Sequence, residues 1–380
     1  MDQTPPPPAR PTWIEIDLDA VARNIEALRA HVAPAPVWAV VKADGYGHGA
    51  VPVARAALGA GAEGLAVALV EEAEELRAAG VDGPILLLSE PPASAAARVV
   101  AARVEPAVYS AEVVEALAAA VEAAEAGPWP VHLKVDTGMH RVGASPEESV
   151  VLGRAVADHA ALTLGSVWTH LAMADEPASN LTATQLARLA ATCDALAQAG
   201  VTVPRRHAAN SAGALAHPEA RLDLVRAGIA VYGIAPAPGV TGGVDLQPVL
   251  RLVSRVSHVK TVPAGHAISY GQRYQVARDT TIATVPVGYA DGVRRSLAAA
   301  GGEVLIGGRR RPMAGTVTMD QITVDCGPEA EVARGDEVVL IGRQGDDEVT
   351  AEEWAERLGT IGYEITCGLG RRVPRRVTRP

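Results

Sequence analysis

Between residues 12 and 245 the chain alternates short apolar runs with longer stretches whose apolar positions recur at helical spacing. Residues 12–17 (TWIEID) alternate apolar and polar side chains like a half-buried strand, and 18–31 carry an amphipathic helical period. Residues 38–41 (WAVV) form a β-branched apolar run suited to a buried strand, followed after a polar loop by a helical stretch at 50–60. Apolar runs at 64–68, 84–88 and 106–109 then lead into helical stretches at 71–79, 93–102 and 111–126. A run at 131–135 precedes a helix from about residue 146, and runs at 162–169, 205–208 and 229–232 extend the series. Strands that are apolar throughout and separated by helices predict a parallel sheet. About eight such units predict an α/β fold closed as a (β/α)8 TIM-type barrel. An open doubly wound sheet is the alternative, but no G-x-G-x-x-G follows the first strand.

The texture changes after Pro236-Ala237-Pro238-Gly239 and Gly242-Gly243. Short Val/Ile/Thr-rich runs follow at 252–262, 280–287, 303–306, 321–325 and 337–341, and only 350–358 carries a helical pattern. This predicts a C-terminal mostly-β domain at 246–380, after a barrel domain at 12–245 and a disordered lead-in at 1–11. The first strand is left free to pair with the C-terminal domain. A length of 380 residues, beyond the usual reach of one core, agrees with two domains.

A hydrophobic content of 48% with 21% charged residues describes a soluble globular chain. The net charge of -10 argues against nucleic acid or an anionic membrane as partner. The pairs Arg371-Arg372 and Arg375-Arg376 read as a short solvated basic tail. With no phenylalanine, the core must be built from Ala, Val, Leu and Ile, which makes the seven tyrosines informative. Cys193, Cys326 and Cys367 are widely spaced, giving neither a disulfide framework nor a zinc pattern, so no metal is expected and a reducing cytoplasm fits. The N-terminal MDQTPPPPARP lacks a signal-peptide core, and no stretch is long and apolar enough to span a bilayer.

Candidate chemistry starts at Lys42, at the carboxyl end of the 38–41 run and beside the loop Asp44-Gly45-Tyr46-Gly47-His48-Gly49. Barrel folds place their active sites there, and an apolar setting would lower the lysine pKa and free its amine as a nucleophile. Position alone favours a strand-end lysine snorkelling to water. Further polar clusters recur where strands should end, at 134–141 (KVDTGMHR), 169–175 (THLAMAD), 207–211 (HAANS) and 226–229 (RAGI). Together they set lysines, histidines, arginines, a serine and backbone amides around one barrel mouth, an inventory suited to an anionic ligand that bonds to an amine.

Taken in order, VVKADGYGHG, KVDTGMHRVG, THLAMAD, HAANSAG, VRAGIAVYG, SYG, GYADG and TMDQ resemble the alanine racemase family over nearly all of residues 12–374. The resemblance implies a barrel with a C-terminal β domain, pyridoxal 5′-phosphate as cofactor, alanine as substrate, and a cytoplasmic homodimer with shared active sites that supplies D-alanine for peptidoglycan. It implies that Lys42 bonds the cofactor and serves as one base. The second base maps to Tyr270, supplied by the partner subunit, because one group cannot readily serve both faces of a planar carbon. Phosphate binding maps to Tyr46, Ser211 and the main chain at Gly228 and Ile229. Arg226 matches the arginine that meets the pyridine nitrogen, and His170 is expected to orient Tyr270 through Arg226. His207 and Asn210 match cofactor neighbours or their supports. Arg141 and Met319 map to substrate binding, with Tyr289 and Asp175 lining the access route. Lys134 matches a lysine that some members carry as N6-carboxylysine; a salt bridge to Asp136 or another acid is the plain alternative. Two positions depart from the family pattern: His140, where glycine is usual, and Arg371, where a phosphate-contacting tyrosine is usual. A broader amino-acid racemase, a barrel decarboxylase and a non-catalytic cofactor carrier are the competing readings. The carrier lacks a β domain, and the decarboxylase's cysteine-bearing motif is absent here.

Overall fold

The computed structural model describes residues 10–378, which divide into two compact units, 19–247 and 10–18 with 248–378. In the first unit eight parallel strands form one sheet: Val37–Val40, Gly64–Val67, Ile85–Leu87, Glu105–Val108, Trp129–Lys134, Leu162–Trp168, Arg206–His207 and Val225–Ala227. Each pairs with its sequence neighbour, except that the last pairs with the first. Backbone bonds from Asp223 N–H to Arg206 C=O and from Arg226 N–H to Ala209 C=O, each 3.0 Å, bring the two remaining edges together. The strands are buried on both faces, which is why they read as unbroken apolar runs.

The intervening helices show the expected stripe. Ala111–Ala123 buries Val113, Val114, Leu117, Ala118 and Val121, the three-to-four-residue spacing of one face. Pro146–Asp158 starts where its sequence says it should, with Ser145 and Glu148 in a reciprocal capping box and Pro146 in the first turn.

The second unit is largely antiparallel. Its main sheet runs Arg309–Pro312, Glu303–Ile306, Glu337–Gln344, Leu250–Arg255, Thr12–Asp17, Arg375–Thr378, with Asp347–Val349 paired to Glu337–Gln344. A three-stranded sheet of His258–Val262, Thr280–Val285 and Ile322–Gly327 lies beside the short pair Ala267–Ile268 and Tyr274–Gln275. Two helices, Ala351–Leu358 and Gly362–Cys367, complete it; only the first shows a helical pattern in the sequence.

The first strand of the chain belongs to this β unit. It pairs antiparallel with Leu250–Arg255 and parallel with Arg375–Thr378. The basic C-terminus is therefore a strand and not a solvated tail. Arg375 donates to the carbonyls of Leu369, Gly370 and Val373, and Arg376 stacks 4.6 Å above the Trp13 ring. Residues 1–9 of the lead-in lie outside the described residues, whereas Arg10 is anchored by two 2.8 Å bonds to the fully buried carboxylate of Asp291, which also accepts from Gly288 N–H. Asp291 is the acid of the GYADG run, so that motif has a structural part in holding the N-terminus.

Removing the arginine would leave a buried carboxylate with poorer compensation. Arg10→Ala is expected to cost about 1–3 kcal/mol, read as a lower urea midpoint. An unchanged midpoint would mean that Arg372, whose Nε is 3.4 Å from Asp291, suffices alone.

Candidate active site

Lys42 stands two residues beyond strand Val37–Val40 and is half-buried. After it the backbone coils against its natural hand: Ala43, Asp44, Gly45, Tyr46 and Gly47 all have φ between 52° and 83°. Such a run is costly, at about 1–2 kcal/mol for each non-glycine residue, because Cβ crowds the following carbonyl. Neighbouring groups hold it. Glu72 Oε1 accepts from Ala43 N–H at 2.6 Å, and Asp44 Oδ1 accepts from Ala50 N–H at 2.9 Å, fastening the turn to the helix Ala50–Gly59. The buried Tyr232 donates to Val40 C=O at 2.9 Å, with its ring 4.9 Å from Tyr46 and 4.5 Å from His48.

This turn carries the Tyr46 hydroxyl to Gly228, where a Cβ would stand only 2.6 Å from it. Gly228 N–H and Ala230 N–H donate to Ser211 Oγ at 2.8 and 3.3 Å, and Ile229 opens the turn Ile229–Tyr232. Tyr46, Ser211, Gly228 and Ile229 thus meet in one small concavity of hydroxyls and close backbone, a donor set suited to a phosphate. Asn210 caps the helix Ser211–Ala216 through Oδ1 to Gly213 N–H at 2.9 Å, which fits the supporting alternative for this residue.

Beside the concavity lies a cluster of cations. Lys134, 4% exposed, ends strand Trp129–Lys134 and places Nζ 3.3 Å from Leu88 C=O and 4.4 Å from the Trp168 ring centre. Arg226 lies 4.6 Å from the same ring, which stacks on His207 with an interplanar angle of 9°. Arg226 donates to His207 Nδ1 at 2.5 Å, to Thr169 and Ala208 C=O at 3.0 Å each, and to His170 Nδ1 at 3.4 Å. Burial pulls its pKa down to about 9, which leaves it charged at neutral pH. Burial, followed by repulsion from Arg226, Arg141 and Lys42, lowers Lys134 to about 7. His170 and His207 are driven well below the usual imidazole range by burial first and Arg226 next, so both are neutral acceptors.

Asp136 relieves this charge little, because it is engaged by its own loop. Its Oδ1 accepts from the amides of Gly138, Met139 and His140 at 2.9–3.1 Å. His140 has φ 53°, a conformation glycine adopts freely, and its 82% exposed ring turns to Asp136 at 3.4 Å instead of into the site. Arg141 and Asp175 are exposed at this rim.

Tyr270, Tyr289 and Met319 belong to the β unit, where they line one depression with Thr318, Asp320 and Arg295. All three are exposed, Tyr270 by 71%. Tyr270 is nonetheless fixed at the backbone: Ser269 Oγ donates to Thr316 C=O at 2.7 Å, and Thr316 Oγ1 returns a bond to Tyr270 C=O at 2.8 Å. Arg371 is exposed on the same unit. The expected site residues therefore fall into two groups, one on the barrel and one on the β unit. Three supporting residues escaped the sequence reading: Trp168, Tyr232 and Glu72. Scarcity of aromatic residues was a usable signal for the first two; Glu72 sits in an ordinary acidic helix start and offered none.

The N-terminal domain of alanine racemases matches residues 16–236, and the C-terminal domain of alanine racemases matches residues 249–377. The chain is 52% identical to an alanine racemase of Symbiobacterium thermophilum over 96% of its own length and 97% of the relative's. Among solved structures it resembles alanine racemase from D-cycloserine-producing Streptomyces lavendulae at a TM-score of 0.92 and 41% identity, covering 98% of both chains. Alanine racemase from Bacillus anthracis with bound L-Ala-P matches at a TM-score of 0.90 and 38% identity, over 98% of this chain and 96% of that one.

Gly228→Ala should displace the Tyr46 hydroxyl and crowd the concavity. Affinity for pyridoxal phosphate, titrated by absorbance, is expected to fall tenfold or more, while pyridoxal, lacking the phosphate, loses little. Equal losses for both would place the phosphate elsewhere.

Proposed function

This chain belongs to the alanine racemase family, and from that premise we propose that it interconverts L- and D-alanine by two bases on opposite faces of the α-carbon, using pyridoxal 5′-phosphate. The observation that carries this reading is the pairing of a strand-end lysine with the Tyr46–Ser211–Gly228 concavity beside a buried, charged arginine. The cofactor fits this donor set: Lys42 would bond its aldehyde carbon, Tyr46, Ser211, Gly228 and Ile229 would hold its phosphate, and Arg226 would meet its ring nitrogen. Bound there, it supplies the electron sink that makes the α-proton of alanine removable.

The protein's own groups do the rest. Lys42 Nζ takes or returns the proton on one face. Tyr270 of the partner subunit does so on the other through its hydroxyl. A guanidinium does not readily give up a proton, so Arg226 would leave the ring nitrogen of a bound cofactor unprotonated and favour proton return to the substrate carbon. His170 acts through Arg226 to orient the phenol, with His207 and Asn210 supporting the ring site. Arg141 and Met319 bind the substrate carboxylate, and Tyr289 and Asp175 restrict access. The homodimer is part of this proposal, because each site draws on both units of the family fold. Among the described residues no helix is long and apolar enough to cross a membrane. A cytoplasmic enzyme supplying D-alanine to peptidoglycan is the setting we infer.

The same reading assigns Lys134 a modification. An amine with a pKa of about 7 is substantially neutral at physiological pH, so its lone pair can attack CO₂. An N–C bond forms, one N–H proton leaves to solvent, and a carbamate anion replaces the neutral amine beside Arg141 and Arg226.

Racemisation followed by circular dichroism should vanish in Lys42→Ala and fall by about 10²–10⁴ in Tyr270→Phe. Mixing the two inactive variants should recover about a quarter of wild-type activity, since random reassortment gives heterodimers with one intact site. Reassortment without recovery would refute shared sites.

Given ¹³C-bicarbonate, wild type should show a carbamate resonance that grows as pH rises through 7, where the amine loses its proton, and fades below it. Lys134→Arg should lack the signal. A label insensitive to pH, or retained in the variant, would reject the assignment.

A further inference from the structure

A line of polar side chains leaves the barrel mouth and crosses the interior toward the opposite end. From Arg226 it passes to His207 Nδ1; His207 Nε2 then lies 2.8 Å from Ser166 Oγ. Ser166 Oγ lies 2.6 Å from His132 Nδ1, and His132 Nε2 lies 2.8 Å from Glu105 Oε2. Arg226, His207, Ser166 and His132 are all buried, whereas the Glu105 side chain is 25% exposed in a surface depression shared with Arg77, Arg103 and Trp129. Strand register sets Trp168 level with His207, His132 level with Ser166, and Ala107 level with His132. The line therefore drops two residues at each of two steps, about 13 Å along the strands.

Its proton order follows from the Glu105 end. A carboxylate only accepts, so a neutral His132 carries its proton on Nε2 and its Nδ1 accepts from Ser166 O–H. With its own proton so placed, Ser166 Oγ accepts from His207 Nε2–H, and His207 Nδ1 is left bare to accept from Arg226, which can only donate. The backbone is shaped for this. The sheet skips a residue between Val131 and His132, pairing them with Leu164 and Ser166, and the skipped Gly165 leaves space that a Cβ would contest at 2.9 Å from His132 Cε1.

We propose that Glu105, His132 and Ser166 are positioning residues that fix His207 as an acceptor and so hold Arg226 in its aim at the barrel mouth. The importance of this for turnover rests on the racemase reading above; the tautomer it requires does not. None of the three is among the groups assigned above to the cofactor or the substrate. They act through His207 and then Arg226, from a solvent-facing carboxylate at the far end of the barrel.

The test is ¹⁵N-histidine NMR of the holoenzyme. Wild-type His207 is expected to show a protonated Nε2 and a bare Nδ1. Ser166→Ala, which removes the acceptor but leaves every group at the mouth, should let His207 populate the Nδ1–H form that opposes Arg226. The bound-cofactor absorbance should shift with it, and kcat should fall about tenfold at nearly constant KM. Ser166→Thr, which keeps the hydroxyl, should restore all three. Glu105→Met, at the exposed end where folding is least at risk, should give His132 a mixed tautomer. A single unchanged His207 tautomer in Ser166→Ala, or an unchanged His132 in Glu105→Met, would overturn the proposal. A wild type that does not racemise alanine would instead refute the functional reading and leave the tautomer result standing.

Discussion

Positive charge gathered at one end of the barrel, with little carboxylate to balance it, governs the chemistry of this protein. Lys42, Arg141 and Arg226 each depress Lys134, and the same cations help keep His170 neutral. Two like charges about 6 Å apart repel by about 3 kcal/mol at an effective dielectric of 20, so such a cluster does not sit idle. Lys134 relieves it by releasing a proton, and the imidazoles relieve it by declining one. The remainder is left for ligands. A phosphate at Gly228, a substrate carboxylate and a carbamate would each bring the missing negative charge, and the apo site is correspondingly the electrostatically unfavourable state. A cofactor bound at the proposed site would therefore also stabilise the fold through these groups.

The second constraint is mechanical. Lys42 could reach a cofactor from an ordinary strand end, but Tyr46 could not meet Gly228 without the five-residue left-handed turn between them. Ala43, Asp44 and Tyr46 have no natural preference for that conformation, so the turn persists through its fastenings to Glu72, Ala50 and the Tyr232 stack. The strain lies next to the amine proposed to bond the cofactor, as is common where a site must be rigid before its ligand arrives. An exposed loop of the same composition would relax; this one is pinned from three directions.

How much of this was legible in the sequence depends on the range of the interaction. Barrel strands were legible because burial on both faces leaves continuous apolar runs, and helices because their stripes and caps are local. Residues at strand ends could be listed as a polar rim for the same reason. The C-terminal strand was misread because Arg375 and Arg376 look solvated until Trp13 and the 369–373 carbonyls are brought alongside. The alternation in Thr12–Asp17 marks a strand and left its pairing with the C-terminal domain open, but the partners it joins lie more than two hundred residues away and have no local signal. The relay was invisible for a related reason. Glu105, His132 and Ser166 each sit singly in a strand, where a polar residue looks like an isolated concession, and only the register makes them consecutive. His140 shows the converse: its positive φ explains why glycine suits that place, while its ring turns outward to Asp136.

Tyr270 is exposed in the way the proposed homodimer requires. A phenol intended for packing is normally buried, and one intended only for solubility has no need of a fixed backbone. Tyr270 has the opposite combination, with most of its surface open and its main chain held between Ser269 and Thr316. Met319 and Tyr289 share that condition, and backbone bonds from Tyr289 and Ala290 to the 318–319 carbonyls fix the spacing between them. Organised apolar and aromatic exposure of this kind is the mark of a surface that another molecule covers. In the proposed homodimer, a barrel mouth with one base and an excess of cations would meet a β surface that offers a rigid phenol, and two copies related by a twofold axis would complete both sites at once.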